Sequence, residues 1–301
     1  MRQRVITGTI FAIAIIGLYV PSFFVPDLIL LLAVPVGVIG TYELIKAFRA
    51  GGFKPCVPLI IAGEAIGLAN YIASRILSLD LQTSMAFLML LMLSFCLASV
   101  ILVPVVRHEE FNDPSGESKG GVGNTFVDGA ITAGVILYVT FPLCCLVGTI
   151  GLAPNGWYYM VLGLFSSWMS DVTAYFAGVT LGRHKIVPHI SPKKTWEGCI
   201  GGVLGCAIIV TLFSDLVIYR LDTPAVGMVG FTIVTFIFGM FLSVVSQLGD
   251  WLASVIKRRV GIKDYGNLFP GHGGVMDRFD SSFFTIPIGC LLALVISVFL
   301  K

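Results

Sequence analysis

The sequence predicts an all-α integral membrane protein of about nine transmembrane helices, with the N-terminus in the cytoplasm and the C-terminus outside. Three observations predict it. The 301 residues are 56% hydrophobic and only 12% charged, with a mean hydropathy of +0.95. An ordinary soluble domain is about 25% charged, so lipid must solvate much of this chain. The apolar residues fall in runs near 5–24, 28–48, 56–76, 84–106, 126–150, 155–181, 197–219, 226–248 and 281–300, most of them close to the ~20 residues that cross a bilayer. With those spans, only Arg75, Arg220 and Lys301 of the 19 Lys and Arg residues fall on one side. All the others share the side of the N-terminus, which the positive-inside rule assigns to the cytoplasm.

Taken in order, the first run follows Met1, Arg2, Gln3 and Arg4. No small-x-small cleavage pattern follows it, so it reads as an uncleaved spanning helix and not a signal peptide. Four spans and a polar loop over 107–124, rich in Gly and acid, make residues 1–124 an N-terminal scaffold. Glu43 in the second span can pair with Lys46 one turn on; Glu64 and Asp128 have no assigned role. Residues 125–301 hold about five spans and most of the polar weight. The seven cysteines form no CxxC pair and no metal-type spacing, and read as small buried apolar groups. The net charge of +2 gives no nucleic-acid signal.

Polar residues gather in three places in the second half. Ser243, Gln247, Asp250, Ser254, Lys257 and Arg258 recur at helical spacing, a polar stripe that must face protein or water, because lipid does not tolerate it. Beyond it, Lys263, Asp264, His272, Gly273, Gly274, Asp277 and Arg278 surround a Gly-rich turn. Glycines let backbone N–H groups approach an anion, the cations suit phosphate oxygens, and Asp250 and Asp277 offer hard oxygen ligands to a divalent ion such as Mg²⁺. A membrane-surface basic patch accounts for the cations but not for the interleaved Asp, Gly and His. In the sixth span, Ser167, Ser170, Asp171, Ala174 and Gly178 share one face, and Asp171 needs a cation, a partner or a hydrated cavity. Then Ser191, Pro192, Lys193, Lys194, Thr195, Trp196 and Glu197 lead into the seventh span. Ser191 or Thr195 can cap that helix, and a helix N-terminus behind two lysines suits an anion, so Ser191, Lys193, Lys194 and Thr195, with Asp171, Gly273 and Gly274, are candidate substrate-binding residues. Gly198, Gly201, Gly202 and Gly205 form overlapping GxxxG patterns that suit close helix packing.

The run Ser254, Lys257, Arg258, Lys263, Asp264, Gly266, Phe269, Pro270, His272, Gly273, Gly274, Asp277, Arg278 and Asp280 resembles the signature of the phosphatidate cytidylyltransferase family, with every specified position filled. The segments 170–178 and 191–198 look like family segments too, so the resemblance covers roughly 125–300. It implies a Mg²⁺-dependent transfer of CMP from CTP to phosphatidic acid, with release of pyrophosphate, by a multi-pass enzyme of the cell membrane whose active site faces the cytoplasm. A second cation and a homodimer are both compatible with it. By carry-over, Asp250 and Asp277 are the metal ligands, with Ser254 close by and Asp171 a further candidate. Lys193, Lys194, Lys257, Arg258, Lys263 and Arg278 would neutralise phosphates. His272 would donate to the pyrophosphate or order the glycine turn, and Asp264 would orient Lys263 or touch the metal. A lipid kinase using CTP, and a transporter with Asp171 on an ion path, are the competing readings.

Overall fold

The structure, a computed structural model, describes residues 2–107, 122–187, 191–222, 226–271 and 273–299, with backbone alone for 2–6, 122–124, 187, 191–193 and 298–299. Helix α1 (Arg2–Tyr19) passes through two 3₁₀ turns, Val20–Phe23 and Pro26–Ile29, into α2 (Leu30–Ala50). Helices α3 (Val57–Ile76) and α4 (Leu81–Val106) follow. Asp80 starts α4 by accepting the N–H groups of Gln82 and Thr83, two of the donors that a helix start leaves without partners. Helix α5 (Val122–Val135) runs through a π turn, Ile136–Thr140, into α6 (Phe141–Leu152). Then come α7 (Gly156–Leu181), a β1–β2 ribbon (Lys185–Val187 and Ser191–Thr195) and α8 (Trp196–Phe213), which passes through a π turn into α9 (Tyr219–Asp222). Helix α10 (Met228–Arg259), the four-residue α11 (Met276–Phe279) and α12 (Ser282–Phe299) complete the chain.

Among the described residues, six helical segments are long and apolar enough to cross a membrane: Pro26–Ala50, Val57–Ile76, Leu81–Val106, Thr125–Leu152, Trp196–Asp222 and Met228–Arg259. The other three expected spans are also helices, but Thr7–Phe23 and Ser282–Ser297 are shorter. Helix α7 is long enough, at 26 residues, but its serines and Asp171 dilute its apolar character. Outer faces carry large apolar side chains in the open, such as Leu93 at 70% and Leu97 at 62% exposure, as expected where lipid is the solvent.

Helix α7 sits at the centre of the second half, and its small polar face is spent on packing. Ser170 bonds Ser243 of α10 at 2.6 Å, and Ser167 bonds Ser282 of α12 at 2.7 Å. Against α8, the Gly201, Gly202 and Gly205 backbones lie on Ala177, Ala174 and Thr173, with no room for a side chain. The GxxxG pattern thus acts as the sequence predicts, by close approach of two backbones.

The segment 183–196 is not a plain loop. Its strands pair antiparallel, Lys185 with Thr195 and Val187 with Ser191. The ribbon is tied to the start of α8, where Trp196 N–H donates to the His184 carbonyl at 3.0 Å and Glu197 accepts from the His184 backbone N–H. The β-branched Ile186 and Val187 suit strand geometry, but three residues are too few for the alternation of a strand to show in the sequence.

The packing predicts that Gly201→Leu costs about 1–3 kcal/mol by overfilling the α7–α8 contact, seen as a lowered thermal midpoint of the detergent-solubilised protein. Gly17→Ala on α1, where a Cβ meets nothing within 4 Å, should not lower the midpoint.

Candidate active site

A cavity of about 540 Å³ opens where α7, the end of α10 and the turn before α12 converge. Asp171, Asp250, Lys257, Lys263, Asp264, Asn267, Phe269, Pro270, Gly271, Gly273, Asp277, Arg278 and Asp280 line it. Helix α10 runs unbroken past its apolar part, so Asp250, Ser254 and Lys257 do share a stripe. It stops at Gly261, whose φ of +75° is the left-handed conformation of a helix C-terminus; Ile262 N–H returns to the Lys257 carbonyl at 2.9 Å.

Asp277 organises the turn. One carboxylate oxygen accepts Lys257 Nζ at 2.9 Å; the other accepts the N–H groups of Tyr265 at 2.8 Å and Gly274 at 3.0 Å. Its side chain is 7% exposed, and that of Lys257 14%. Lys257 also lies over the Tyr265 ring, 5.2 Å from its centroid, and Tyr265 OH donates to the Ala253 carbonyl. Gly273 holds φ +80°, and a Cβ there would press on the Asp277 carboxyl at 2.7 Å, so both conformation and space call for glycine. Asp250 forms an ion pair with Lys194, brought over by the ribbon, and Lys194 stands 5.5 Å from the centre of the Trp251 ring.

Of the residues the sequence nominates, Asp171, Asp250, Lys257, Lys263, Asp264, Gly273, Asp277 and Arg278 share the cavity wall. Lys194 joins them through Asp250. Gly274 lies just behind the wall and donates to Asp277. Ser254 is half-buried one turn beyond Asp250, and Arg258 is exposed; neither lines the cavity. Thr195 is buried as the cap of α8, accepting from Gly198 N–H at 3.1 Å. Ser191 and Lys193 lie on β2, where only the backbone is described, and His272 falls outside the described residues. Asp280 and Asn267 are lining residues to which the sequence reading gave no role. Burial, then the charge of Asp250 and also that of Asp171, push the Asp280 carboxyl above the usual carboxylate range, with Lys257 pulling the other way. Glu43 does not turn to Lys46; its carboxylate accepts the N–H groups of Val275 and Met276.

Five aspartates line the cavity against Lys257, Lys263 and Arg278, and Lys257 is committed to Asp277. Such a wall repels a phosphate unless a cation intervenes. The donors are hard oxygens, as Mg²⁺ requires. Among the described residues, no three His, Cys, Asp or Glu groups close a metal cage. One or two carboxylates, completed by phosphates and water, are what Mg²⁺ commonly takes from a protein. Among the described residues, no hydrogen bond or ion pair engages Asp171, which is exposed to the cavity, so both its oxygens are open to a ligand.

This is a polytopic membrane protein with an acid-lined, phosphate-scale cavity. The chain belongs to the family described as the Cytidylyltransferase family, whose model matches residues 2–296. Relatives carry one activity in their names. A phosphatidate cytidylyltransferase of Mycobacterium bovis is 30% identical over 93% of this chain and 84% of its own length. One of Bacillus subtilis is 30% identical over 95% of both chains. One of Aquifex aeolicus is 39% identical over 50% of this chain and 53% of its own.

The two lysine–aspartate pairs should differ in worth. Lys257→Met leaves Asp277 nearly buried without its counter-charge and should cost about 3 kcal/mol. Lys194→Met breaks a pair about a quarter exposed on each side and should cost under about 1 kcal/mol. Thermal midpoints of the two variants, compared with the parent, check the order.

Proposed function

We propose that this chain transfers CMP from CTP to phosphatidic acid, forming CDP-diacylglycerol and pyrophosphate. The observation that carries the reading is the cavity that gathers Asp171, Asp250 and Asp277 with Lys257, Lys263 and Arg278, in a member of this family. The sixteen-to-three sorting of Lys and Arg over nine spans supports a cavity that faces the cytoplasm of a cell-membrane enzyme. Residues 1–124 brace the site, and 125–301 carry the chemistry.

A phosphate oxygen of phosphatidic acid attacks the α-phosphorus of CTP in line. A P–O–P bond forms, the bond from the α-phosphorus to the β-phosphate oxygen breaks, and pyrophosphate leaves with its electrons. A phosphate monoester is already ionised near neutral pH, so no strong base is required. The obstacle is repulsion between two anions within an acidic wall. Asp250 and Asp277, with Asp171 beside them, would hold Mg²⁺, which when bound supplies the positive charge that lets the phosphates approach. Arg278 and Lys263 on the cavity wall would neutralise phosphate oxygens, and Lys257 fixes the Asp277 carboxylate. Lys194, drawn in by the ribbon, holds Asp250 in the same way.

Purified protein given CTP labelled at the α-phosphate, Mg²⁺ and phosphatidic acid should place the label in lipid. Label left in a soluble nucleotide, with γ-phosphate label in lipid, would instead identify a kinase. Asp277→Asn should lower turnover on the order of 10²-fold or more, and near-parental turnover would remove the metal assignment.

A further inference from the structure

Glu43 lies on α2, far from the signature in sequence, yet it grips it. Its two carboxylate oxygens accept Val275 N–H at 3.2 Å and Met276 N–H at 2.8 Å, and the residue is 5% exposed. Those donors belong to the start of α11, the turn that carries Asp277 and Arg278. The same carboxylate packs on the backbones of Gly266 and Gly274, where any Cβ would collide with it. From the other side, Asp277 accepts from Tyr265 N–H and Gly274 N–H. The signature turn is therefore clamped between two carboxylates, one facing the cavity and one arriving from α2. Four residues cannot sustain a helix alone, so the bearing of α11 is set by what holds its first turn.

We propose that Glu43 is a positioning residue for the transfer: it fixes the α11 turn so that Asp277 and Arg278 face the cavity, without itself touching either substrate. This rests on the reading of the acidic cavity as the seat of the reaction. Thr41, two residues earlier on α2, supplies the contrast. It donates to Glu64 at 2.6 Å, away from the signature turn, so its loss disturbs α2 without loosening α11.

The test compares Glu43→Gln, Thr41→Ala and Asp277→Asn in purified protein. The amide that replaces the Glu43 carboxylate would keep one acceptor but meet the second backbone N–H with its own donors, so the clamp is halved at equal volume. Glu43→Gln should lower kcat on the order of 10²-fold, as displacement of reacting groups by about 1 Å does. The change in KM for CTP should be much smaller, and the thermal midpoint close to parental. Hydrogen exchange at the Val275 and Met276 amides should rise, while exchange in α8 does not. Thr41→Ala should keep kcat near parental. Parental kcat and parental exchange in Glu43→Gln overturn the proposal, as does a loss of kcat that Thr41→Ala matches. Asp277→Asn separates the two levels: if it is inactive while Glu43→Gln is fully active, only the role of Glu43 fails. If Asp277→Asn turns over normally, the reading of the cavity fails and this proposal with it.

Discussion

Three stretches of chain meet at the carboxylate of Asp277. Lys257 reaches it from the end of α10, Tyr265 N–H from the turn after that helix, and Gly274 N–H from the glycine run. Charge-assisted hydrogen bonds of this kind are the stronger ones, and here they bind an irregular segment that lacks the ladders of regular structure. Everything else about the turn follows from satisfying that group: the glycine at 273 with its positive φ, the inward Tyr265, and the lysine laid across the tyrosine ring.

The cavity also shows how acids persist in a largely apolar protein. Asp250 and Asp277 are each matched with a lysine, Glu43 and Asp277 collect backbone N–H groups, and Asp171 stays exposed to the cavity. Asp280 is buried among like charges, its carboxylate accepting from Ser281 N–H at 2.7 Å. The wall is thus strongly acidic but locally balanced.

Much of this was legible in the sequence because the signals were local. The stripe from Ser243 to Lys257 lies on one helix, so spacing alone placed Asp250 and Lys257 together. The Gly201, Gly202 and Gly205 pattern likewise stated its own use. The role of Glu43 was not legible. Its partners are more than 230 residues away, and they are backbone amides, which leave no trace in residue type; a carboxylate inside an apolar run was the sole hint. The sequence reading offered Thr195 to substrate and to the helix cap alike; burial against Gly198 and Gly182 shows the cap. The ribbon escaped because so short a pair has no period to read. It matters all the same, since it carries Lys194 to Asp250.

Helix α10 spans 32 residues, about 48 Å along its axis at ~1.5 Å per residue, well beyond a hydrocarbon layer of about 30 Å. Counted from Met228, Asp250 comes about 33 Å along. On the proposed reading, a helix that starts at one headgroup layer and runs upright would bring this aspartate to the depth of the lipid phosphates on the other surface. A lipid headgroup would reach the site by drifting within its own plane, with no charged group hauled through oil and no acyl chain pulled out into water.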